Sequence, residues 1–376
     1  MNRCDEQLLM LLRFALGLDD SFALQPTAEE WIRLYEESMR HSLVGVTFVG
    51  VNRLRGEQRP PLELLMQWAS EAEALREVNL RFNREAARVT RLFESEGHTT
   101  AILKGQANAR LYPDVLSRQP GDIDIWVSGG KEAVIAMLKR LGMADDSCDM
   151  CYHHIQLPRS DEGIEVEVHF LPSSGHNDKR CNERLQQYLA AELERGATMV
   201  EEGFRVPSMQ YALMMQLAHI RHHLRGEGVG LRQLTDYLLL LRNSTEGERR
   251  DVTERLKEVG LLTMAQALMW VLAEAFHADK ELLPVKRNKR KGRWMLEQVF
   301  QTGNFGHYDR QRADGIVRMV MQQKWRLWRL AWFEPQFIGA MIREEWDYWS
   351  VIIRKLPSRI RHRTWSLRDH PEEWDR

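Results

Sequence analysis

Residues 101–127 read AILKGQANARLYPDVLSRQPGDIDIWV, and the reading of this stretch decides the fold. At its centre stands Gly121-Asp122-Ile123-Asp124-Ile125. Side chains on a strand alternate with a period of two, so Asp122 and Asp124 share one face while Ile123, Ile125 and Val127 enter a core on the other. Two carboxylates side by side at a strand end repel each other, which is costly unless a cation sits between them. Hard oxygen ligands of this kind suit Mg²⁺, which takes one or two carboxylates and shares its other positions with water and substrate phosphates. A bare D-x-D pair also fits a solvated strand end, so the surroundings have to decide.

Working outward, residues 99–103 form a short strand in this reading, Lys104-Gly105 a turn, and the following QANARLY a helix that Pro113 stops. Free backbone N–H groups at a helix start attract anions. Gly105 lets a phosphate approach the backbone, and Lys104 adds a positive charge. On the other side, Gly129-Gly130 closes the acidic strand. Residues 131–141 read as a helix with Val134, Ile135, Leu138 and Leu141 on its buried side. Strands are expected at 152–157 and 164–170. The second reads I-E-V-E-V-H-F and alternates strictly: Glu165, Glu167 and His169 face one way, Ile164, Val166, Val168 and Phe170 the other. Such a hairpin brings a third carboxylate beside Asp122 and Asp124. The order of elements describes a small α/β unit built on a mixed sheet.

The flanks read as helical. Thr27-Ala-Glu-Glu30 ahead of Trp31 is a capping-box pattern. After Pro60-Pro61, apolar residues from Leu65 to Phe93 recur at three- and four-residue steps until Gly97. Beyond Pro207, helices are expected at 208–224, 231–241, 246–259, 263–276, 292–301, 313–333 and 335–353. The whole reads as an α+β protein in three parts: an N-terminal helical region (1–97), an α/β core (98–206) and a C-terminal helical region (207–376).

A chain of 376 residues has room for two or three packed units. It holds no run of eighteen apolar residues and no signal-peptide pattern at its start. Four cysteines (Cys4, Cys148, Cys151, Cys181) are too few for a disulfide scaffold, so a reducing cytoplasm is the expected setting. The net charge of −1 conceals an asymmetry: 20 Lys+Arg against 11 Asp+Glu from Pro284 onward, and 33 against 43 before it. A basic segment can meet nucleic acid or a membrane surface; the plainer reading docks it on the acidic remainder of its own chain. The run from Lys286 to Lys291 reads as a solvated loop. The stripe of Val317, Met321, Trp325, Trp328 and Trp332 reads as core packing of a helical bundle rather than a membrane face.

Three other patterns have plain readings. Cys148-x-x-Cys151 with His153, His154 and Cys181 matches no metal-finger spacing and reads as free thiols near a strand. His219 and His223 share a helix face, but the residues between them do not complete an H-E-x-x-H pattern. Arg232 and Asp236, also four apart, read as an ordinary helix pair worth about 0.2–0.5 kcal/mol.

Leu103-Lys104-Gly105, Tyr112-Pro113, Arg118, Gly121-Asp122-Ile123-Asp124 and Glu167-Val168-His169-Phe170 occur in that order. They are followed by His219, His222-His223 and Gly230-Leu231-Arg232-Gln233-Leu234-Thr235-Asp236. This set, across about residues 100–240, resembles the poorly characterised bacterial nucleotidyltransferases of the DNA polymerase β-like superfamily. The resemblance implies a minimal palm-like sheet carrying three carboxylates. Asp122, Asp124 and Glu167 would be catalytic and would hold two Mg²⁺ ions with a bound nucleoside triphosphate such as ATP. Lys104, Gly105, Arg118 and Gly121 would contact the nucleotide or its phosphates, with His169, His219, Arg232 and Asp236 behind them. A nucleoside monophosphate would pass to a hydroxyl on a small molecule, sugar, protein or RNA end, and pyrophosphate would leave. The sequence departs from the superfamily in placing Lys-Gly where Gly-Ser is usual and Glu where the third acid is often Asp. Glu165 competes with Glu167 for that third place. Two other readings stay open: a catalytically inactive nucleotide-binding module, and an RNA-directed, toxin-like transferase that uses the basic C-terminal region.

Overall fold

The computed structural model describes residues 2–226, 228–304, 328–347 and 349–350. Four helices open the chain: α1 (Arg3–Ala15), α2 (Ala28–Arg40), α3 (Val44–Arg53) and α4 (Leu62–Ser95). The expected capping box is present at α2, where the Thr27 hydroxyl accepts from the Glu30 N–H and the Glu30 carboxylate accepts from the Thr27 N–H. Asn2 and Asp5 cap α1 in the same reciprocal way. At 34 residues, α4 is about 51 Å long. Its first turns pack against α3, where Trp68 Nε1 donates to the Val44 carbonyl at 3.0 Å. Its last turns lie on the sheet.

That sheet has four strands: β1 (Thr100–Ile102), β2 (Ile123–Val127), β3 (His154–Gln156) and β4 (Val166–His169), in the order β1-β2-β4-β3. The central pair β2/β4 is parallel and both outer pairs are antiparallel, so the sheet is mixed and the fold is α+β. Each strand is shorter than the alternation suggests. One face of the sheet is apolar: Ile123, Ile125, Val127, Val166 and Val168 are buried against Phe82, Val89 and Phe93 of α4 and Val134 and Leu138 of α6 (Gly130–Arg140). The other face carries the acids. The parallel register sets Asp124 opposite Glu167, and the antiparallel one sets His154 opposite His169.

Short α5 (Gln106–Ala109) joins β1 to β2, and α7 (Lys179–Glu194) follows the sheet, capped by the Asp178 side chain. A two-stranded hairpin, β5 (Thr198–Met199) with β6 (Arg205–Val206), leads into α8 (Met209–Arg225), α9 (Leu231–Asn243), α10 (Glu246–Arg255), α11 (Leu262–Ala275) and α12 (Lys289–Thr302). α7 and the hairpin fall in a stretch to which the sequence reading gives no element. Helices from both ends of the chain share one apolar core: Leu8, Leu12, Trp31 and Leu34 belong to the same cluster as Leu217, Leu238, Leu268 and Val299.

Of the last two expected helices, residues 328–333 and 338–347 are helical, with a 3₁₀ turn at Pro335–Phe337; Val317, Met321 and Trp325 lie outside the described residues. Trp332 meets Trp294 edge-on at 6.2 Å, as core packing requires, whereas Trp328 is exposed. In the basic run, Arg290 lies 4.8 Å over the Trp332 ring and Lys291 5.8 Å from the Phe333 ring, so part of it packs on its own chain. Among the described residues no helix is long and apolar enough to cross a membrane.

Candidate active site

The turn after β1 sets the first side chain. The Leu103 N–H donates to the Asp124 carbonyl at 2.9 Å, which pins the turn beside β2. Gly105 then adopts φ +61°, a region L side chains avoid, and a Cβ there would stand 3.4 Å from the Asp122 carbonyl oxygen. With the backbone so turned, Lys104 reaches over the start of β2. Its Nζ lies 2.6 Å from Asp124 Oδ2 and 3.2 Å from Asp122 Oδ1. Burial opposes the ammonium charge, but the carboxylates of Asp122, Asp124 and Glu167 outweigh it and hold Lys104 above its ordinary value. Burial likewise pushes the Asp124 carboxyl upward, and Lys104 and His169 reverse this, holding it well below the usual carboxylate range.

β4 supplies the next group. His169 Nε2 is 3.1 Å from Asp124 Oδ1 and 3.5 Å from Glu167 Oε2. An ionised carboxylate only accepts, so Nε2 carries the proton in this contact. Burial works against an imidazolium here, yet Asp124 and Glu167 raise His169 to about 8. The ligand atoms of Asp124, Glu167 and His169 all lie within 4.8 Å of one another. Glu165 is not among them: its carboxylate pairs with Arg159 near the surface.

Arg118 and Gly121 sit on the loop that enters β2. The Arg118 guanidinium makes two hydrogen bonds to Asp236 of α9, at 2.8 and 2.9 Å, and the Tyr112 hydroxyl donates to the same carboxylate at 2.8 Å. Arg232 donates to the Gln119 carbonyl at 2.8 Å. Both Arg232 and Asp236 are buried, so the reading of an ordinary helix pair is corrected: Asp236 reaches across to Arg118 and Arg232 to the Gln119 carbonyl, because the loop entering β2 lies against α9. Gly121 faces open space on its side-chain side. From α8, His219 comes near enough to Lys104 and Asp124 to feel both. Burial, then His223 and Lys104, hold it well below its ordinary value, so its ring is neutral. The His219 and His223 rings meet edge-on at 4.3 Å.

Thus Lys104, Asp122, Asp124, Glu167 and His169 converge on one face of the sheet, with His219 above. Arg118, Arg232 and Asp236 form a neighbouring buried network. Two residues that the sequence reading groups with the cysteines belong here instead. His154 Nδ1 is 3.6 Å from Glu167 Oε2, and His153 Nε2 is 3.0 Å from His154 Nδ1. The signal for them is the hairpin register, which places His154 against His169. All four cysteines are free thiols.

The donor chemistry fits Mg²⁺. Asp122, Asp124 and Glu167 offer carboxylate oxygens, and Asp122 and Glu167 side chains are 34% and 22% exposed, which leaves room for waters and phosphate. Acids, a lysine and a glycine turn around one opening are the groups that phosphoryl chemistry uses.

No curated protein and no solved structure matches the chain significantly. One family model, described as an uncharacterised nucleotidyltransferase, matches residues 27–277, which takes in every element from α2 to α11. With two thirds of its length matched and the acid-bearing sheet inside that span, the chain belongs to this nucleotidyltransferase family.

Proposed function

We propose that the protein transfers a nucleoside monophosphate from a nucleoside triphosphate to a hydroxyl acceptor, with Asp122, Asp124 and Glu167 as the catalytic carboxylates. The observation that carries this reading is the register of β2 against β4, which sets Asp124 directly opposite Glu167 on the polar face of the sheet. These three acids would hold two Mg²⁺ ions, which when bound with the triphosphate supply charge neutralisation and a more acidic acceptor hydroxyl. Lys104 carries a fixed positive charge at the mouth of the site and would meet the triphosphate there. The Gly105 turn and Gly121 keep side chains away from its path. His169 holds the inner oxygen of Asp124 in place by its hydrogen bond. His219, neutral and near Lys104 and Asp124, can accept or donate a hydrogen bond without adding charge. The Arg118–Asp236 bridge anchors the loop that carries Gly121. Free thiols fit a reducing compartment, and we place the activity in the cytoplasm.

The test is pyrophosphate release from each of the four nucleoside triphosphates with Mg²⁺ across a panel of hydroxyl acceptors, small molecules, sugars, protein and RNA ends. Wild-type protein should release pyrophosphate with at least one pair, and Asp122→Asn with Asp124→Asn should abolish it. Transfer that survives this double change, or triphosphate binding without turnover on any acceptor, would leave a nucleotide-binding module.

A further inference from the structure

Three histidines meet on the outer half of the sheet beside Glu167, and two of them, His153 and His154, have no part in the proposed catalysis. We propose that His153, His154 and His169, together with Glu167, bind a borderline first-row divalent cation of the Zn²⁺ class, beside and distinct from the Asp122–Asp124 pair. This site borrows Glu167 from the proposed active site but does not depend on that site's being catalytic.

The geometry is that of a ligand set. The antiparallel register of β3 and β4 places His154 opposite His169. The His153 ring, one residue before β3, lies 4.4 Å from that of His154 and 5.4 Å from that of His169. All three histidines are buried, and their ligand nitrogens lie within 4.8 Å of one another. The donor atoms form a chain: His153 Nε2 to His154 Nδ1 at 3.0 Å, His154 Nδ1 to Glu167 Oε2 at 3.6 Å, and Glu167 Oε2 to His169 Nε2 at 3.5 Å, where the ion would take the place of the proton that Nε2 otherwise gives Asp124. Ligands at 2.0–2.1 Å in a tetrahedron stand about 3.3 Å apart, so the three histidine nitrogens, which lie within 4.8 Å of one another, would close by up to about 1.5 Å on an ion, with Glu167 drawn in beside them.

Packing alone does not account for the arrangement. His153 and His169 are 8% and 4% exposed, and Nδ1 of each is buried with no hydrogen-bond partner. Buried polar nitrogens are ordinarily paired, so these two rings carry hydrogen-bonding or ligating capacity that their packing leaves unused. The Coulomb field also suits a cation: the carboxylates of Asp124 and Glu167 stand 3.1 and 3.5 Å from His169 Nε2, and Glu167 stands 3.6 Å from His154 Nδ1.

Ligand type decides which ion. Imidazole nitrogens select Zn²⁺ and its neighbours, whereas Mg²⁺ prefers oxygen throughout. The sheet therefore offers two chemically different seats, an oxygen seat at the aspartates and a nitrogen-rich seat at the histidines, with Glu167 between them.

The full-length protein, stripped with a chelator, should retain about one Zn²⁺ per chain on dialysis against micromolar Zn²⁺ in millimolar Mg²⁺. His153→Gln with His154→Gln should lower Zn²⁺ affinity by more than about 100-fold. Asp122→Asn should leave Zn²⁺ retention in place, which separates this site from the proposed active site. Absence of retained Zn²⁺ in the wild type overturns the proposal. So does loss of Zn²⁺ in Asp122→Asn with retention in the histidine variant, since the ion then sits on the aspartates. Should the histidine variant not fold, Co²⁺ in the wild-type protein decides. The intense visible absorption of a four-coordinate, nitrogen-bound ion supports the site, and the weak spectrum of a six-coordinate ion overturns it.

Discussion

Arg118 and Asp236, 118 residues apart in the chain, form a two-point salt bridge in the protein interior, with Nε to Oδ1 at 2.8 Å and Nη2 to Oδ2 at 2.9 Å. Their side chains are 6% and 2% exposed. Burial acts against both charges, but each holds the other: Arg118 is raised and Asp236 lowered. The bridge fastens the loop entering β2 to α9, so the position of the acidic strand depends on a helix far away in sequence.

Asp236→Ala leaves Arg118 charged, buried and unpaired, and should cost about 3–5 kcal/mol of stability. The check is the urea midpoint at unchanged m-value. Replacing both partners, Arg118→Met with Asp236→Leu, should restore part of the loss, because the two apolar groups need no compensation while the Tyr112 hydroxyl still lacks its acceptor. A cost of only about 0–1 kcal/mol for Asp236→Ala would make the bridge equivalent to a surface pair such as Arg250–Glu246, and the anchoring role would be lost.

Glu165 stands one residue before β4 and Glu167 within it, and they differ in what they meet. Glu165 pairs with Arg159 toward solvent, while Glu167 lies 3.5 Å from His169 and opposite Asp124. Glu167→Gln should lower kcat/KM for nucleotidyl transfer by about 10³-fold, roughly 4 kcal/mol of barrier. Glu165→Gln should change it less than about threefold, since an exposed ion pair contributes little. The reverse order would move the third carboxylate to Glu165.

The acidic strand was legible because a period of two is a local property: Asp122 and Asp124 alternating with Ile123 and Ile125 announce a two-faced strand without any neighbour. Gly105 was legible for a similar reason, since a glycine between a strand and a helix implies an unusual backbone, and φ is indeed positive there. Asp236 was not. Four residues from Arg232 it looks like half of a helix pair, and only tertiary packing brings Arg118 to it. His153 and His154 stand beside Cys148 and Cys151 in sequence, and spacing along the chain is blind to the hairpin register that carries them to Glu167 and His169. α7 is a different case: Leu185, Leu189 and Leu193 recur every four residues behind the Asp178 cap, so its signal is local and readable.

Gly45 lies inside α3, where alanine would ordinarily stabilise a helix by about 1 kcal/mol. Here a Cβ would stand 2.3 Å from the Ser117 carbonyl oxygen and 3.1 Å from its carbonyl carbon, both backbone atoms that cannot rotate away. Overpacking of this kind costs about 1–3 kcal/mol, so the contact outweighs the propensity and Gly45→Ala should be net destabilising. Because Ser117 adjoins Arg118, the strain falls on the same anchoring loop. A thermal midpoint at or above that of the wild type would show that α3 and the loop can separate without loss.

His176 gives a pH dependence of definite sign. Burial, aided by Arg221 and Arg225, pushes its ring down to about 3, and its Nδ1 accepts the N–H of Asp178, the residue that caps α7. In the unfolded chain the ring titrates near 6.5. Below that pH the unfolded state binds a proton that the folded state refuses. The stabilising contribution is therefore complete above about 6.5 and is lost as pH falls toward 3. The slope approaches about 1.4 kcal/mol per pH unit for this one group. His153, held at about 2 by burial and by His169 and His154, adds a second slope of the same sign, so the wild type should lose stability on acidification faster than one proton allows. His176→Asn puts an amide oxygen where Nδ1 accepts the Asp178 N–H, and it does not titrate. Urea midpoints taken from pH 6 down to pH 4 should then fall less steeply, by about one proton's worth. An unchanged slope would mean that the ring charges as freely in the folded protein as in the unfolded one.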